Sequence, residues 1–185
     1  MPSAPGPGPL PTRIWVVGPC GSGKSTVAQR LAGALGVAPT HLDDIHWKPG
    51  WIESTPAEEQ AALDRIVARP AWVVDGNYSK LRGPRMDAVQ LFVWLDLPLN
   101  VTLPRLLSRC AARAIKRVPC CNGNYESLRG TLLSKESLLL WALTTHQRRK
   151  RQLTAELSSR THVRLRSPRA IEAWVRWILT QAPPR

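Results

Sequence analysis

The chain has 185 residues, of which 43% are hydrophobic, and its 26 Lys and Arg against 13 Asp and Glu leave a formal net charge of +13. This length predicts one domain with its own core, and the apolar content excludes a wholly disordered chain. The positive charge favours anionic partners, whether nucleotides, nucleic acid or acidic membrane surfaces, without deciding among them.

The four cysteines argue against a disulfide framework or a zinc site. Cys120 and Cys121 are adjacent, and neither Cys20 nor Cys110 completes a CxxC pair. Reduced thiols are therefore expected. The longest purely apolar run, at residues 138–143, is too short to span a membrane. These features predict a cytoplasmic protein without a membrane partner.

The chain opens with a segment rich in proline and glycine, MPSAPGPGPLPT. Residues 1–12 are therefore predicted to form a disordered tail, followed by a single domain over residues 13–185. The sequence RIWVV at 13–17 predicts a short buried strand, and residues 24–35 predict a helix ended by Gly36.

Between this strand and this helix, the sequence Gly-Pro-Cys-Gly-Ser-Gly-Lys-Ser matches the pattern GxxxxGK[ST] in full. Glycines let such a loop fold tightly, so that its N–H groups and the positive end of the following helix attract phosphates. Lys24 is expected to reach the β- and γ-phosphates of ATP or GTP, and the Ser25 hydroxyl to bind Mg²⁺. The alternative is a glycine-rich turn with an exposed lysine. The loop residues predicted to bind the nucleotide are Gly18, Pro19, Cys20, Gly21, Ser22, Gly23, Lys24, Ser25 and Thr26.

Strands and helices alternate along the rest of the chain. The predicted strands lie at residues 40–42, 71–74, 89–95 and 162–166. The predicted helices lie at residues 56–68, 99–116, about 126–157 and 168–179, with a loop at 118–125. This alternation predicts an α/β fold in which a parallel five-stranded sheet carries helices on both faces. Ligands of such sheets bind at the carboxyl ends of the strands, where the glycine loop, Asp43, Asp44 and Asp75 lie.

Four blocks of sequence resemble one known family. They are the glycine loop, HLDDIHWKPGW at residues 41–51, WVVDGNY at 72–78 and NGNYES at 122–127. Together they resemble a bacterial adenylate-kinase-like P-loop NTPase family whose members are labelled topology modulation proteins or AAA-family ATPases. The resemblance runs from about residue 13 to residue 177. It implies the three-layer fold of nucleoside-monophosphate, shikimate and gluconate kinases, a helical basic lid at about 113–130, and phosphoryl transfer from MgATP to a small acceptor, with a nucleotide or nucleoside as one class.

The resemblance assigns roles to the carboxylates. Asp75 and Gly76 resemble the Asp-Gly step whose carboxylate holds Mg²⁺ through water, although a plain turn Asp is the alternative. The Asn77 and Tyr78 that follow depart from the adenylate kinase pattern and argue against AMP as the acceptor. Asp43 is predicted to orient or deprotonate the acceptor hydroxyl, whereas Asp44 caps the next segment in the alternative. The residues predicted to bind the acceptor are Asp43, Asp44, Trp47, Asp75, Gly76, Asn77 and Tyr78.

The aromatic and histidine side chains near these carboxylates allow two interpretations. Trp47 and Trp51 either wall the acceptor pocket or belong to the core. His41 and His46 are predicted to be structural, because phosphoryl transfer needs no histidine here.

Four arginines recur at every fourth residue from 105 to 117 and therefore share one helical face. In kinases of the resembled fold, such a helix leads into the lid and its arginines hold the transferring phosphoryl group. Arg105, Arg109 and Arg113 are accordingly predicted to be catalytic. A solvated basic face is the alternative, most of all for Arg117. By the same resemblance, Asn122, Asn124 and Glu126 are predicted to contact the acceptor.

The C-terminal part contributes two further predictions. Arg166 and Pro168 join the last strand to the last helix, where the resembled fold holds the adenine ring. The basic cluster at residues 148–151 is predicted to be a solvated helix end, with a nucleic-acid or phosphate contact as the alternative. The net charge also supports an alternative function, a nucleic-acid-linked ATP-binding protein, although no helix-turn-helix or stacking-aromatic motif accompanies it.

Overall fold

The structure of the protein is a computed structural model. It covers residues 10–126 and 138–181, and for residues 138–141 it describes the backbone alone. The predicted helical stretch at 127–137, the lid residues 127–130 and the tail residues 1–9 lie outside the described residues.

Seven short strands occur in the described part of the chain. They are β1 (Arg13–Val17), β2 (Pro39–His41), β3 (Trp47–Lys48), β4 (Ile52–Glu53), β5 (Trp72–Asp75), β6 (Leu91–Leu95) and β7 (His162–Leu165). Five of them form one parallel sheet in the order β2-β5-β1-β6-β7, whereas β3 and β4 pair as a small antiparallel hairpin. The predicted five-stranded parallel sheet is confirmed.

Helices connect these strands and cover both faces of the sheet. They are α1 (Lys24–Leu35), α2 (Leu42–His46), α3 (Pro56–Val67), α4 (Ser79–Arg82), a 3₁₀ helix (Gly83–Ala88), α5 (Leu99–Lys116), α6 (Leu138–Leu157) and α7 (Pro168–Leu179). The start of α3 follows its sequence closely, because Thr55 and Glu58 form a reciprocal capping box ahead of Pro56. Within the described residues, no helix is long and apolar enough to cross a membrane.

Alternate residues of the strands fill two cores, one on each face of the sheet. Ile14 and Val16 of β1 pack in the first core with apolar residues of α1 and α7. The second core holds Trp15, Trp72 and Trp94 together with leucines of α3 and α6. Three of the eight tryptophans are thus fully buried side chains of one core, which gives part of the unusual tryptophan content a structural cause.

Three local predictions differ from the structure. Asp43 and Asp44 lie in the first turn of α2, which already begins at Leu42, rather than directly after a strand at 40–42; negative charge in this position stabilises the helix N-terminus. The hairpin of β3 and β4 and the short helices over residues 79–88 were not predicted, because they are too short to show a periodicity. The packed domain also begins before residue 13, since Leu10 is only 4% exposed within the first core.

Candidate active site

The phosphate loop lies between β1 and α1, as its sequence predicts. Gly23 has φ 91° and begins α1 without a side-chain cap, so the helix N-terminus presents its backbone N–H groups to a ligand. Gly21 has φ 79°, and a Cβ there would lie 2.4 Å from the carbonyl oxygen of Thr102. The loop therefore packs directly against α5, the helix that carries the predicted catalytic arginines. Nζ of Lys24 donates a hydrogen bond to the carbonyl of Pro19 within the loop, at 3.0 Å.

Ser25 and Asp75 are brought together beside this loop. The Ser25 hydroxyl donates to Oδ2 of Asp75 at 2.7 Å, and Asp75 is 4% exposed. The two residues are distant in sequence, and the pairing of β1 with β5, in which Val16 lies opposite Asp75, brings them together. A hydroxyl and a carboxylate are hard oxygen donors that suit Mg²⁺. Among the described residues, no three or more His, Cys, Asp or Glu side chains are grouped so that they could hold a metal ion, so phosphate oxygens and water would complete such a site.

His41 occupies the other oxygen of this carboxylate. Its Nδ1 lies 2.5 Å from Oδ1 of Asp75, across the paired ends of β2 and β5. The hydrogen bond to Asp75 raises the pKa of His41, although partial burial acts in the opposite direction. His41 thus orients Asp75, which is a more specific role than the general structural one that its sequence context indicated.

The turn after β5 is tied to β1 and the phosphate loop. Nε1 of Trp15 donates to the carbonyl of Gly76 at 3.0 Å, and Gly76 N–H donates to the carbonyl of Val16 at 3.1 Å. Both polar atoms of the Asn77 side chain bond Gly18. A direct contact of Asn77 or Gly76 with the acceptor stays a prediction.

Asp43 is held by Tyr78. The Tyr78 hydroxyl donates to Oδ1 of Asp43 at 2.9 Å, which joins α2 to the segment after β5. Burial and the Asp43 charge raise the pKa of Tyr78, so the phenol remains a hydrogen-bond donor. Asp44, next to it in α2, has its pKa raised by partial burial and by the charge of Asp43. Asp43 is exposed to solvent.

Trp47 and Trp51 stand on the β3–β4 hairpin outside both cores. Their rings pack edge to face at 5.4 Å, and Trp51 is 41% exposed. The ring of His46 packs against both Trp47 and Tyr78, with centroids 4.6 Å and 5.2 Å away. These rings form a partly exposed aromatic wall beside Asp43, so the alternative that both tryptophans are core residues is wrong.

The segment after α5 is fastened to this hairpin by two asparagines. Nδ2 of Asn122 donates to the carbonyls of Asp44 and Trp47, at 2.5 and 2.7 Å. Asn124 is 4% exposed and uses its whole amide. Its Oδ1 accepts from the N–H groups of Gly50 and Trp51, and its Nδ2 donates to the carbonyls of Lys48 and Cys121. These side chains therefore bind backbone, and a contact between them and the acceptor stays a prediction.

The predicted catalytic arginines differ in their surroundings. Arg105 and Arg109 are exposed on α5, in the part of the helix that packs on Gly21 through Thr102 and Leu106. Arg113 lies farther along and pairs with Glu126, its Nη1 2.9 Å from Oε1. This ion pair therefore links α5 to the segment that follows it.

For Arg149, the prediction of a solvated helix end at residues 148–151 differs from the structure. Arg149 is partly buried on α6 and lines a cavity with Pro19 and Cys20 of the phosphate loop and with Asn77. Burial lowers the pKa of Arg149, and the charges of Arg148 and Arg82 add to that effect. The missed signal is the apolar pattern of α6, in which Leu153 and Leu157 are buried and place Arg149, four residues before Leu153, toward the sheet.

The loop predicted to hold the base is anchored by a buried carboxylate. Asp96, 7% exposed, follows β6 and binds Arg164 of β7, with Nη2 of Arg164 2.8 Å from Oδ2. Arg166 is more exposed and lies 3.9 Å from the same oxygen. Ser167 then caps α7 by accepting from Ala170 N–H at 3.1 Å, with Pro168 in the first turn. Binding of adenine by Arg166 and Pro168 stays a prediction.

One curated relative resembles part of the chain. A shikimate kinase from Halorhodospira halophila is 33% identical over 110 residues, which cover 51% of this chain and 62% of that protein. The matched stretch thus spans less than two thirds of the relative's length. No protein-family model matches the chain.

Solved structures with the same fold cover nearly the whole chain. A gluconokinase from Sinorhizobium meliloti covers 95% of this chain and 93% of its own, with a TM-score of 0.54 and 22% identity. A shikimate kinase from Acinetobacter baumannii in complex with shikimate covers 92% of both chains, with a TM-score of 0.55 and 22% identity. A sugar kinase from Janibacter sp. has a TM-score of 0.53 and 20% identity. The chain has the fold of these P-loop kinases.

Proposed function

We propose that this protein is a P-loop small-molecule kinase that transfers the γ-phosphoryl group of ATP to a hydroxyl of a small acceptor. One observation carries the proposal. Ser25 of the phosphate loop and the buried Asp75 are hydrogen-bonded at 2.7 Å, and the neighbouring strand delivers Asp43 to the same edge of the sheet. Phosphoryl transfer requires this combination of a phosphate cradle, a metal-ordering carboxylate and a carboxylate for the acceptor.

Each residue has a stated task in this proposal. Lys24 and the loop N–H groups bind the phosphates, and Arg149, with Arg105 and Arg109, neutralises the charge of the moving phosphoryl group. Ser25 and, through water, Asp75 would hold Mg²⁺, which would supply further charge neutralisation at the phosphates. Asp43, oriented by Tyr78, accepts the proton of the acceptor hydroxyl.

The chemical step is an in-line displacement. A bond forms between the acceptor oxygen and the γ-phosphorus, while the bond from that phosphorus to the β–γ bridging oxygen breaks. The proton of the hydroxyl passes to Asp43, and ADP leaves. The exposed position of Asp43 allows a hydroxyl to approach it, and the edge of Trp47 and Trp51 offers an apolar surface to the rest of the acceptor.

The electrostatics near Asp43 support an acceptor whose reacting end is neutral. Within the described residues, neither Asp43 nor Asp44 takes part in any ion pair with Lys or Arg. A carboxylate or phosphate placed there would face the negative charge of Asp43, whereas His41 offsets part of the negative charge of Asp44. A nucleoside or a neutral sugar or polyol therefore fits this end of the site better than a monophosphate. The narrower membership in the topology modulation family stays a prediction.

Transfer of label from γ-labelled ATP across nucleosides, nucleoside monophosphates, sugars and hydroxy acids tests the proposal. Labelling of one acceptor class that is lost in Lys24→Ala and reduced at least 100-fold in Asp43→Ala is the expected result. Labelling of no acceptor, with ATP hydrolysis that rises when duplex DNA is added, would instead favour the nucleic-acid-linked alternative.

A further inference from the structure

Asn77 forms an unusual pair of contacts with the first residue of the phosphate loop. Gly18 N–H donates to Oδ1 of Asn77 at 3.0 Å, and Nδ2 of Asn77 donates to the Gly18 carbonyl at 2.7 Å. The side-chain amide thus satisfies both polar groups of one peptide residue. Only a side chain with a donor and an acceptor in one plane can do this.

These two bonds extend the pairing of β1 with β5 beyond the end of the strands. The parallel ladder places Val16 opposite Asp75, and Gly76 N–H then donates to the Val16 carbonyl at 3.1 Å. The chain diverges after Gly76, and the Asn77 amide takes the place that the next backbone peptide would have. The phosphate loop therefore diverges from the sheet only beyond Gly18, whose backbone is held by the Asn77 side chain.

Asn77 is itself held from the opposite side. The backbone carbonyl of Asn77 accepts a hydrogen bond from Nη1 of Arg82 at 2.9 Å. Arg82 is 1% exposed and forms an ion pair with Glu156 of α6. The contacts run from α6 through Arg82 and Asn77 to Gly18, all between groups that are at least partly buried.

From this geometry we infer that Asn77 is a positioning residue of the phosphate loop, acting on nucleotide binding through Gly18. The inference rests on the proposed binding of ATP by this loop. A loop whose first peptide is fixed before the ligand arrives presents its N–H groups at no ordering cost, whereas a free loop must be ordered on binding. The prediction from sequence that Asn77 contacts the acceptor is a different role, since both amide atoms are already engaged by Gly18.

The chain offers a matched control at the other end of β1. Oε1 of Gln90 accepts from the N–H groups of Thr12 and Arg13, at 2.8 and 3.2 Å, so Gln90 also ties a side-chain amide to backbone beside β1. Gln90→Ala removes hydrogen bonds of the same kind far from the phosphate loop. Asn77→Ala and Gln90→Ala should therefore both lower the midpoint of thermal unfolding, Asn77→Ala by more because its hydrogen bonds are partly buried, whereas only Asn77→Ala should weaken binding at the nucleotide site.

The experiment measures MgATP affinity of the full chain by calorimetry for the wild type, Asn77→Ala, Asn77→Asp, Gln90→Ala and Lys24→Ala. Loss of two hydrogen bonds predicts an affinity about tenfold weaker in Asn77→Ala, with Gln90→Ala within about twofold of the wild type. Asn77→Asp should bind at least as weakly as Asn77→Ala, because a carboxylate repels the Gly18 carbonyl and the phosphates.

The outcomes separate this inference from the proposed function. Wild-type affinity in Asn77→Ala, or an equal loss in Asn77→Ala and Gln90→Ala, would overturn the positioning role while the kinase proposal stands on Lys24→Ala and the labelling assay. No binding of MgATP by the wild type would overturn both. A selective loss in the two Asn77 variants, with Lys24→Ala also defective, supports the inference.

Discussion

The hydroxyl of Tyr78 donates a hydrogen bond to Oδ1 of Asp43 across 2.9 Å, although 35 residues separate the two in the chain. Asp43 follows β2 and Tyr78 follows β5, and these strands are neighbours in the sheet. The contact fixes the one exposed carboxylate that the proposed mechanism uses as a base. It also predicts how that base can be disturbed without altering the nucleotide site.

Tyr78→Phe should lower kcat of phosphoryl transfer about tenfold and leave MgATP affinity within about twofold, since a hydrogen bond to a charged group contributes about 1.5–3 kcal/mol. The measurement is steady-state transfer to the acceptor found in the labelling assay. Tyr125→Phe is the matched control, because Tyr125 is the only other tyrosine and is 58% exposed. An unchanged kcat in Tyr78→Phe would contradict the role of this contact.

Ser25→Ala should remove the effect of Mg²⁺ on ATP binding. In the wild type, Mg²⁺ is expected to tighten ATP binding, whereas Ser25→Ala should bind ATP equally in Mg²⁺ and in EDTA because its hydroxyl ligand is lost. Calorimetry of ATP under the two conditions measures the difference. If Mg²⁺ still tightens binding to Ser25→Ala by the wild-type factor, the metal is held elsewhere.

Arg149→Ala should reduce phosphoryl transfer by about 10²–10³-fold, the range expected when one group that stabilises transition-state charge is removed. Arg151→Ala provides the control, since Arg151 is on the same helix and exposed to solvent. The kcat values of both variants are compared with the same acceptor. Equal and small reductions of kcat in the two variants would contradict this role and would favour the solvated basic surface that the sequence context of Arg149 indicated.

Asn124→Ala should lower the free energy of unfolding by about 2–4 kcal/mol, because it leaves buried backbone groups of the hairpin without partners. Asn124→Asp keeps the acceptor of the Gly50 and Trp51 N–H groups and should be affected less. Urea unfolding gives both values. The control is Asn100→Ala, at an exposed position, where a change within about 0.5 kcal/mol is expected.

Glu58 should make part of the stability depend on pH in the acid range. Its hydrogen bonds to Lys48 and to Thr55 lower its pKa from 4.5 to about 2. Because the pKa is depressed in the folded state, the stabilisation is complete above about pH 4.5 and is lost as the pH falls toward 2. The difference in urea midpoint between the wild type and Glu58→Gln should shrink over this interval. Glu53→Gln controls for the loss of one surface charge, and a difference that stays constant from pH 5 to pH 2.5 would contradict the assignment.

Local sequence was sufficient where a short stretch carries its own physical signal. The glycine loop could be located because its function requires glycines, Lys24 and Ser25 at fixed spacing between a strand and a helix. The five parallel strands were identifiable from apolar runs bounded by turn residues, and the start of α3 from its capping box. Asp75 could be predicted as a metal-ordering carboxylate because it ends such a strand and because its Asp-Gly step resembles that of adenylate kinases.

Only the tertiary structure determined which side chains meet. The pairing of Ser25 with Asp75, of Asp75 with His41 and of Asn77 with Gly18 depends on the strand order β2-β5-β1, which no local pattern encodes. Arg149 approaches the phosphate loop because it lies on the same face of α6 as Leu153 and Leu157, which are buried in the tryptophan core, whereas its immediate neighbours in sequence form a run of basic residues. The sequence alone therefore determined the five strands of the sheet, the longer helices that connect them and the chemistry of the phosphate loop, since these arise from neighbouring residues. The order of the strands and the packing of the helices decided which distant groups form the site, because those contacts depend on burial of the whole core.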